Sequence, residues 1–251
     1  MTLALLQSVP DLNDWAGVSA WVERTLDKIV KCDFATAADS FQMVTFPGDA
    51  MIDPVLGPYG SADWRRFALS VFLADWACYT HPADRGDFAR LMSIVAAFPQ
   101  GFRVYFANLN DGTPVPVGYT GWYPITADMF NVLHDRPHQI THRGFMVPLK
   151  ELAAQDNYIY LFNYSIIDQL RKTAQSSQLI KGMVDQIKSV AYKGLGAVTV
   201  SEDGIRIAEQ FGMRFKGDIT HDGETESAYC LRVSADHNSS QPNAKTLAIS
   251  G

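Results

Sequence analysis

Residues 166–179 bring together types that could hold an anion. Ile166 and Ile167 close an apolar run. Asp168, Gln169, Leu170, Arg171, Lys172, Thr173, Ala174, Gln175, Ser176 and Ser177 follow, and Gln178 and Leu179 enter an amphipathic stretch. A helix starting here exposes N–H groups that its own carbonyls cannot reach, together with the positive end of its dipole. That is a cradle for a phosphate or pyrophosphate. Ala174, Ser176 and Ser177 are small enough to let a ligand approach the backbone, and Arg171 and Lys172 add positive charge.

The apolar run before the cradle contains no Asp or Glu, so Asn163, Tyr164 and Ser165 are its polar options. His134, His138 and His142 are spaced by four, which would align them on a helix and suggest zinc. Pro137 interrupts that helix, and no acid or cysteine joins them at metal-ligand spacing, so no metal is expected. A histidine also has the ordinary pKa for a general base, about 6.5, and His142 is nearest the strand in sequence. The competing reading is three solvated loop histidines. Asp75 sits in an apolar helical stretch. It is a buried functional acid, or it pairs with a neighbouring arginine such as Arg65 or Arg66, or it points at solvent. Trp64, Phe67, Phe72 and Trp76 read as core, and Cys78 as a small buried hydrophobe. No Gly-x-Ser-x-Gly, Walker or dinucleotide-binding signature is present.

These residues need elements to position them. Val18, Trp21, Val22, Leu26, Ile29 and Val30 predict a helix over 15–31. Residues 48–60, rich in Pro and Gly, predict a loop. Ser61 reads as an N-cap opening a helix to residue 79, and a further helix is expected over 84–98. The first hundred residues thus read as helical. Residues 102–109 and 115–125 predict a hairpin around Asn110-Asp111-Gly112, and 126–156 read as irregular. The stretch 158–167 is apolar almost throughout, which predicts a central strand. A helix over 176–193, stopped by Gly194 and Gly196, leads to a short strand over 197–200. A helix over 205–211 ends at Gly212. An antiparallel pair, 214–220 and 227–233, turns at Asp222-Gly223. The strand–helix–strand unit predicts a parallel pair inside a mixed sheet. Residues 234–251 are polar and aperiodic, as in a mobile tail.

The chain has 251 residues, 47% hydrophobic and 19% charged, with a net charge of -6. That suffices for a sizeable core in one large domain or two small ones. The acidic balance argues against broad nucleic-acid binding. Cys32, Cys78 and Cys230 form neither a metal pattern nor a disulfide framework, which fits a reducing compartment. No apolar run reaches the roughly 18–20 residues of a membrane span. Leu3, Leu5 and Leu6 have no basic residue before them, so no signal peptide is expected. The expectation is a soluble, cytoplasmic protein.

Three segments in order resemble the GCN5-related N-acetyltransferase (GNAT) superfamily over about residues 100–233. Asn110-Asp111-Gly112 through Val117-Gly118-Tyr119 resembles its strand 2–strand 3 hairpin. Arg171 to Leu179 fits its acyl-CoA loop, Arg/Gln-x-x-Gly-x-Gly/Ala, with Ala174 and Ser176 in place of both glycines. Ala208 to Met213 stands where the family has Tyr-Glu-Lys-x-Gly-Phe, and Ala208 replaces the family's frequent general-acid tyrosine.

The resemblance implies an α/β (α+β) fold: a mixed, mostly antiparallel twisted sheet of the acyl-CoA N-acyltransferase type with an extended helical N-terminal segment. Residues 1–100 would be that segment, packed on the same domain; 101–233 the acyl-CoA-binding core; 234–251 the flexible tail. It implies acyl transfer from acyl-CoA, acetyl or longer, to an amine of a small molecule or peptide, by direct attack in a ternary complex. Ile166, Ile167, Arg171, Lys172, Thr173, Ala174, Gln175, Ser176 and Ser177 would hold the CoA, with the thioester carbonyl meeting backbone near 165–167. Asn163, Ser165, His142 and Tyr119 would serve the chemistry, and Tyr119 and Trp122 would border the acceptor. The alternatives are a non-catalytic acyl-CoA-binding or protein-interaction module on the same fold, or a transferase whose acyl donor rides on an acyl carrier protein.

Overall fold

The computed structural model describes residues 7–46, 62–79, 87–221 and 223–233. The expected loop 48–60, the Ser61 cap, Asp222 and the tail 234–251 lie outside these residues. In chain order the elements are α1 (Trp15–Lys31), α2 (Phe34–Ala37), β1 (Ala38–Thr45), α3 (Ala62–Cys78), α4 (Phe88–Ala97), β2 (Phe102–Leu109), β3 (Pro114–Ile125), α5 (Ala127–Asp135), β4 (Asn157–Ile166), α6 (Ala174–Lys188), β5 (Tyr192–Thr199), α7 (Glu202–Gln210), β6 (Arg214–His221) and β7 (Glu224–Arg232). The strands form one seven-stranded sheet in the order β1-β2-β3-β4-β5-β7-β6. β1–β2, β2–β3, β5–β7 and β6–β7 pair antiparallel, and β4–β5 pair parallel. The expected mixed sheet, with its parallel pair across one helix, is present, and the apolar β4 is its fourth strand. Among the described residues no helix is long and apolar enough to cross a membrane.

The chain divides into two compact units, one of Met1–Trp122 with Asn163–Ile187, the other of Tyr123–Phe162 with Lys188–Gly251. In the first, Asp14 caps α1 by accepting from the Gly17 N–H at 3.0 Å. Lys28 then reaches Asp111 and Thr113 at 2.7 Å each, tying α1 to the β2–β3 turn where Gly112 takes φ +77°. Ile29, Phe34, Tyr105, Val117, Ile166 and Leu179 meet in one core. Helix α6 lies on the sheet face bearing Arg103, Tyr105 and Trp122. Arg103 and Trp122 both donate to Gln186 Oε1, at 3.0 and 2.8 Å, and Tyr105 donates to Gln178 at 2.9 Å. Helix α3 lies against the face bearing Tyr119. It is buried nearly all round, and Asp75 is the only charged residue among its buried ones.

In the second unit, Asn157 anchors the start of the parallel pair, donating to the carbonyls of Ala153 and Ala191 at 2.9 and 2.8 Å. The β4–β5 ladder runs from Asn157–Tyr192 to Leu161–Ala197. Phe130 of α5 packs on Tyr158 at 4.8 Å, with the Arg232 guanidinium 5.3 Å from its ring.

Three sequence expectations need correction. The first hundred residues are not all helical, because β1 pairs with β2 along the sheet edge. Only Val44 of β1 is buried, so its period-two signal is faint. The stretch 126–156 is not wholly irregular: Thr126 caps α5, accepting from the Met129 N–H at 3.2 Å, and Phe130 and Leu133 supply its buried face. Helix α6 ends at Lys188, so Gly194 and Gly196 do not stop it. They lie inside β5, where a Cβ would come within 2.5 Å of Phe130 and 2.8 Å of Leu133 respectively.

Gly118 sets how closely β4 passes β3, since a Cβ there would sit 2.7 Å from the Ser165 carbonyl oxygen. Backbone cannot step aside like a flexible side chain. Gly118→Ala is therefore expected to destabilise the chain by about 1–3 kcal/mol in urea unfolding. An unchanged midpoint would contradict this packing.

Candidate functional site

Five side chains from three elements of the first unit meet in a hydrogen-bonded cluster. Asp75 is on α3, Tyr79 just after it, Tyr119 on β3, and Asn163 and Ser165 on one face of β4. Tyr119 donates to Asp75 Oδ1 at 2.6 Å. The Asn163 Nδ2 group donates to the Tyr119 hydroxyl and, at 3.4 Å, to Asp75 Oδ1. On its other side, Asn163 Oδ1 accepts from Tyr79 at 3.2 Å and from Ser165 at 2.8 Å. Ser165 Oγ also lies 3.1 Å from the Tyr79 hydroxyl.

The cluster is graded in depth. Asp75 is 2% exposed and Tyr119 0%, while Asn163 and Tyr79 are only half-buried. Burial pushes the Tyr119 phenol well above its usual range, and the Asp75 charge pushes the same way. Burial also raises the Tyr79 phenol, with the Ser165 hydrogen bond opposing. Asp75 is thus buried and does not point at solvent. Arg65 is engaged with Asp11, at 2.6 Å through both Nε and Nη2, and Arg66 lies 3.7 Å from Asp63.

The expected cradle follows directly from β4. Ile167 donates to the Val117 carbonyl at 2.9 Å and its carbonyl accepts from Leu170 at 2.9 Å, so both its backbone groups are engaged. Hydrogen-bonding direction alternates along a strand, so the N–H of Ile166 points off the opposite edge of β4. Thr173 turns its hydroxyl back to the Leu170 carbonyl at 2.6 Å, and its own carbonyl accepts from Ser177 N at 3.3 Å and Ser176 Oγ at 2.9 Å. The first backbone bond of α6 thus begins at Ser177. The N–H groups of Ala174, Gln175 and Ser176 precede it and point out of the helix end.

Ala174 and Ser176 lie within α6, and the positive φ of the loop falls on Lys172 at +59°. Ala174 is exposed, whereas Ser176 is 7% exposed and turned back on the cap. Arg171 is exposed, with a guanidinium nitrogen 3.0 Å from Asp168.

The first unit therefore gathers Asn163, Ser165 and Tyr119 beside the segment 166–177. Trp122 is not at an open border: it is 1% exposed and held by Gln186. His142 belongs to the second unit, where it is exposed with its ring against Phe145. His134 meets Asp135 at 2.5 Å, and His138 is exposed in a short 3-10 turn. Ala208, also in the second unit, is 1% exposed in α7. Sequence reading missed Tyr79. Its spacing of four from Asp75 was the available signal, since it puts both on one face of the chain leaving α3.

No family model and no curated protein matches the sequence. Among solved structures, the chain is similar to the loading GNATL domain of CurA from Lyngbya majuscula, with a TM-score of 0.51 and 10% identity over 77% of this chain and 98% of that one. It is also similar to the GphF GNAT-like decarboxylase in complex with isobutyryl-CoA (TM-score 0.48, 14% identity, 66% and 94% covered). A third is Arabidopsis thaliana Naa50 in complex with a bisubstrate analogue (0.44, 9%, 77% and 99%). The chain has the GNAT fold, in agreement with the order of strands and helices read from the sequence beyond residue 100.

The left-handed Lys172 makes a direct test of the loop geometry. That conformation costs a non-glycine residue about 1–2 kcal/mol, and glycine's extra unfolded-state freedom returns part of the gain. Lys172→Gly is expected to stabilise the chain by about 0.5–1 kcal/mol in chemical denaturation. Destabilisation would mean that the loop does not adopt this turn.

Proposed function

We propose that this chain is an acyltransferase that moves an acyl group, acetyl or longer, from acyl-CoA to an amine of a small molecule or peptide. The observation that carries the reading is the succession, on one strand of a GNAT fold, of the Asn163–Ser165 cluster and a helix start with outward N–H groups at 174–176. The CoA pyrophosphate would lie on 171–177, where Arg171 and Lys172 supply charge and the first turn of α6 supplies N–H donors. The Ile166 N–H would polarise the thioester carbonyl. Tyr119, Asn163 and Ser165 would border the reacting centre.

The amine nitrogen attacks the carbonyl carbon and forms the C–N bond. The carbon–sulfur bond then breaks, and the proton lost by nitrogen must reach sulfur. A carrier-bound donor would present the same pantetheine arm without the adenosine end. A non-catalytic acyl-CoA binder is the second reading, favoured by the methyl group at Ala208 where the family carries a phenol. It expects thioester binding without turnover.

Isothermal titration calorimetry with acetyl-CoA and a longer acyl-CoA tests the reading. Ala174 is exposed, so Ala174→Glu sets a carboxylate against the pyrophosphate and also suits the positive end of the helix. Micromolar binding is expected, weakened about tenfold or more in the variant by like-charge repulsion, with no loss of thermal stability. Absence of binding by either thioester would contradict the proposal and turn attention to carrier-bound donors.

A further inference from the structure

We propose that the Tyr79 and Ser165 hydroxyls form the proton carrier of the acyl transfer, with the buried Asp75 as the positioning residue that orients them through Asn163. This rests on the acyl-CoA reading above. Transfer from a thioester to an amine leaves one proton too many on nitrogen and one too few on sulfur. A pair of hydroxyls in hydrogen-bond contact can settle both. Ser165 Oγ accepts the proton from nitrogen and passes its own to Tyr79, 3.1 Å away, and Tyr79 passes its own to the departing sulfur. The relay returns both hydroxyls to their starting state, and no other reactant is needed.

The geometry favours Tyr79 over the deeper phenol, and Ser165, 6% exposed, lies in contact with it. Tyr79 is half-buried, while Tyr119 is fully buried and spends its proton on Asp75. Ser165 precedes Ile166, the residue whose N–H points away from β3, so a carbonyl held there and the relay would fall at one level of the strand. Burial raises the Tyr79 phenol, so a free phenolate is disfavoured and proton receipt from Ser165 must accompany donation to sulfur.

Asp75 acts at a distance. An amide side chain can flip, and only one orientation serves the relay. Asp75 and Tyr119 accept from the Asn163 Nδ2 group, which turns Oδ1 toward Tyr79 and Ser165. The buried charge therefore sets where the two hydroxyls stand without touching the reactants.

The test needs no knowledge of the acceptor. CoA itself is titrated on the protein, and its thiolate is followed by ultraviolet absorbance against pH. A phenol donating to bound sulfur lowers the thiol below its ordinary value of about 8.5. Tyr79→Phe, which keeps the ring, is expected to restore the bound thiol toward the free value by about tenfold in ionisation constant. Asp75→Asn keeps the shape but removes the charge, and is expected to give a smaller shift in the same direction. Its folding is checked by thermal unfolding. CoA binding with a thiol ionisation unaltered by both variants would overturn the relay and leave the acyl-CoA reading standing. No CoA binding by the unmodified chain would overturn both.

Discussion

A carboxylate at 2% exposure inside a helix that is buried almost all round is the constraint on which the first unit is organised. Moving an ionised group out of water costs several kcal/mol unless hydrogen bonds replace the lost solvent. Asp75 obtains a 2.6 Å bond from Tyr119 and a longer one from Asn163. Those partners come from two different strands, so the carboxylate fixes α3 against β3 and β4 together. Tyr79 and Asn163 are the half-buried members of the cluster, and Ser165 is buried with the acid.

The close approach of β4 to β3 belongs to the same arrangement. Gly118 leaves room for the Ser165 carbonyl, and Val117 accepts from Ile167. Strand alternation then turns the Ile166 N–H to the other edge. Immediately beyond, a left-handed Lys172 and a capping residue whose hydroxyl faces backward free the first turn of α6. The start of α6 and the polar cluster are thereby set along a single run of chain, 163–177, by backbone geometry more than by any one side chain.

Much of this was legible in the sequence where the signal is local. The hairpin turn, the apolar β4, the start of α6 and the parallel unit all follow from patterns spanning a few residues. What was missed depends on distant packing. β1 is an edge strand with one buried residue, so it carries little alternation. Gly194 and Gly196 look like helix stops in the chain but are clearances for the side chains of Phe130 and Leu133. Asp75 was visible as an anomaly in an apolar helix. Its partners lie 44 and 88 positions away, and no spacing rule reaches that far.

The central claim is that 166–177 receives an acyl-CoA through backbone N–H groups. Amide nitrogen–proton chemical shifts, followed residue by residue as acetyl-CoA is added, test it most directly. The account predicts large shifts at Ile166, Ala174, Gln175 and Ser176, with Ile167 much less affected because its N–H is already held by Val117. Binding that leaves these four amides unmoved while shifting others would contradict it.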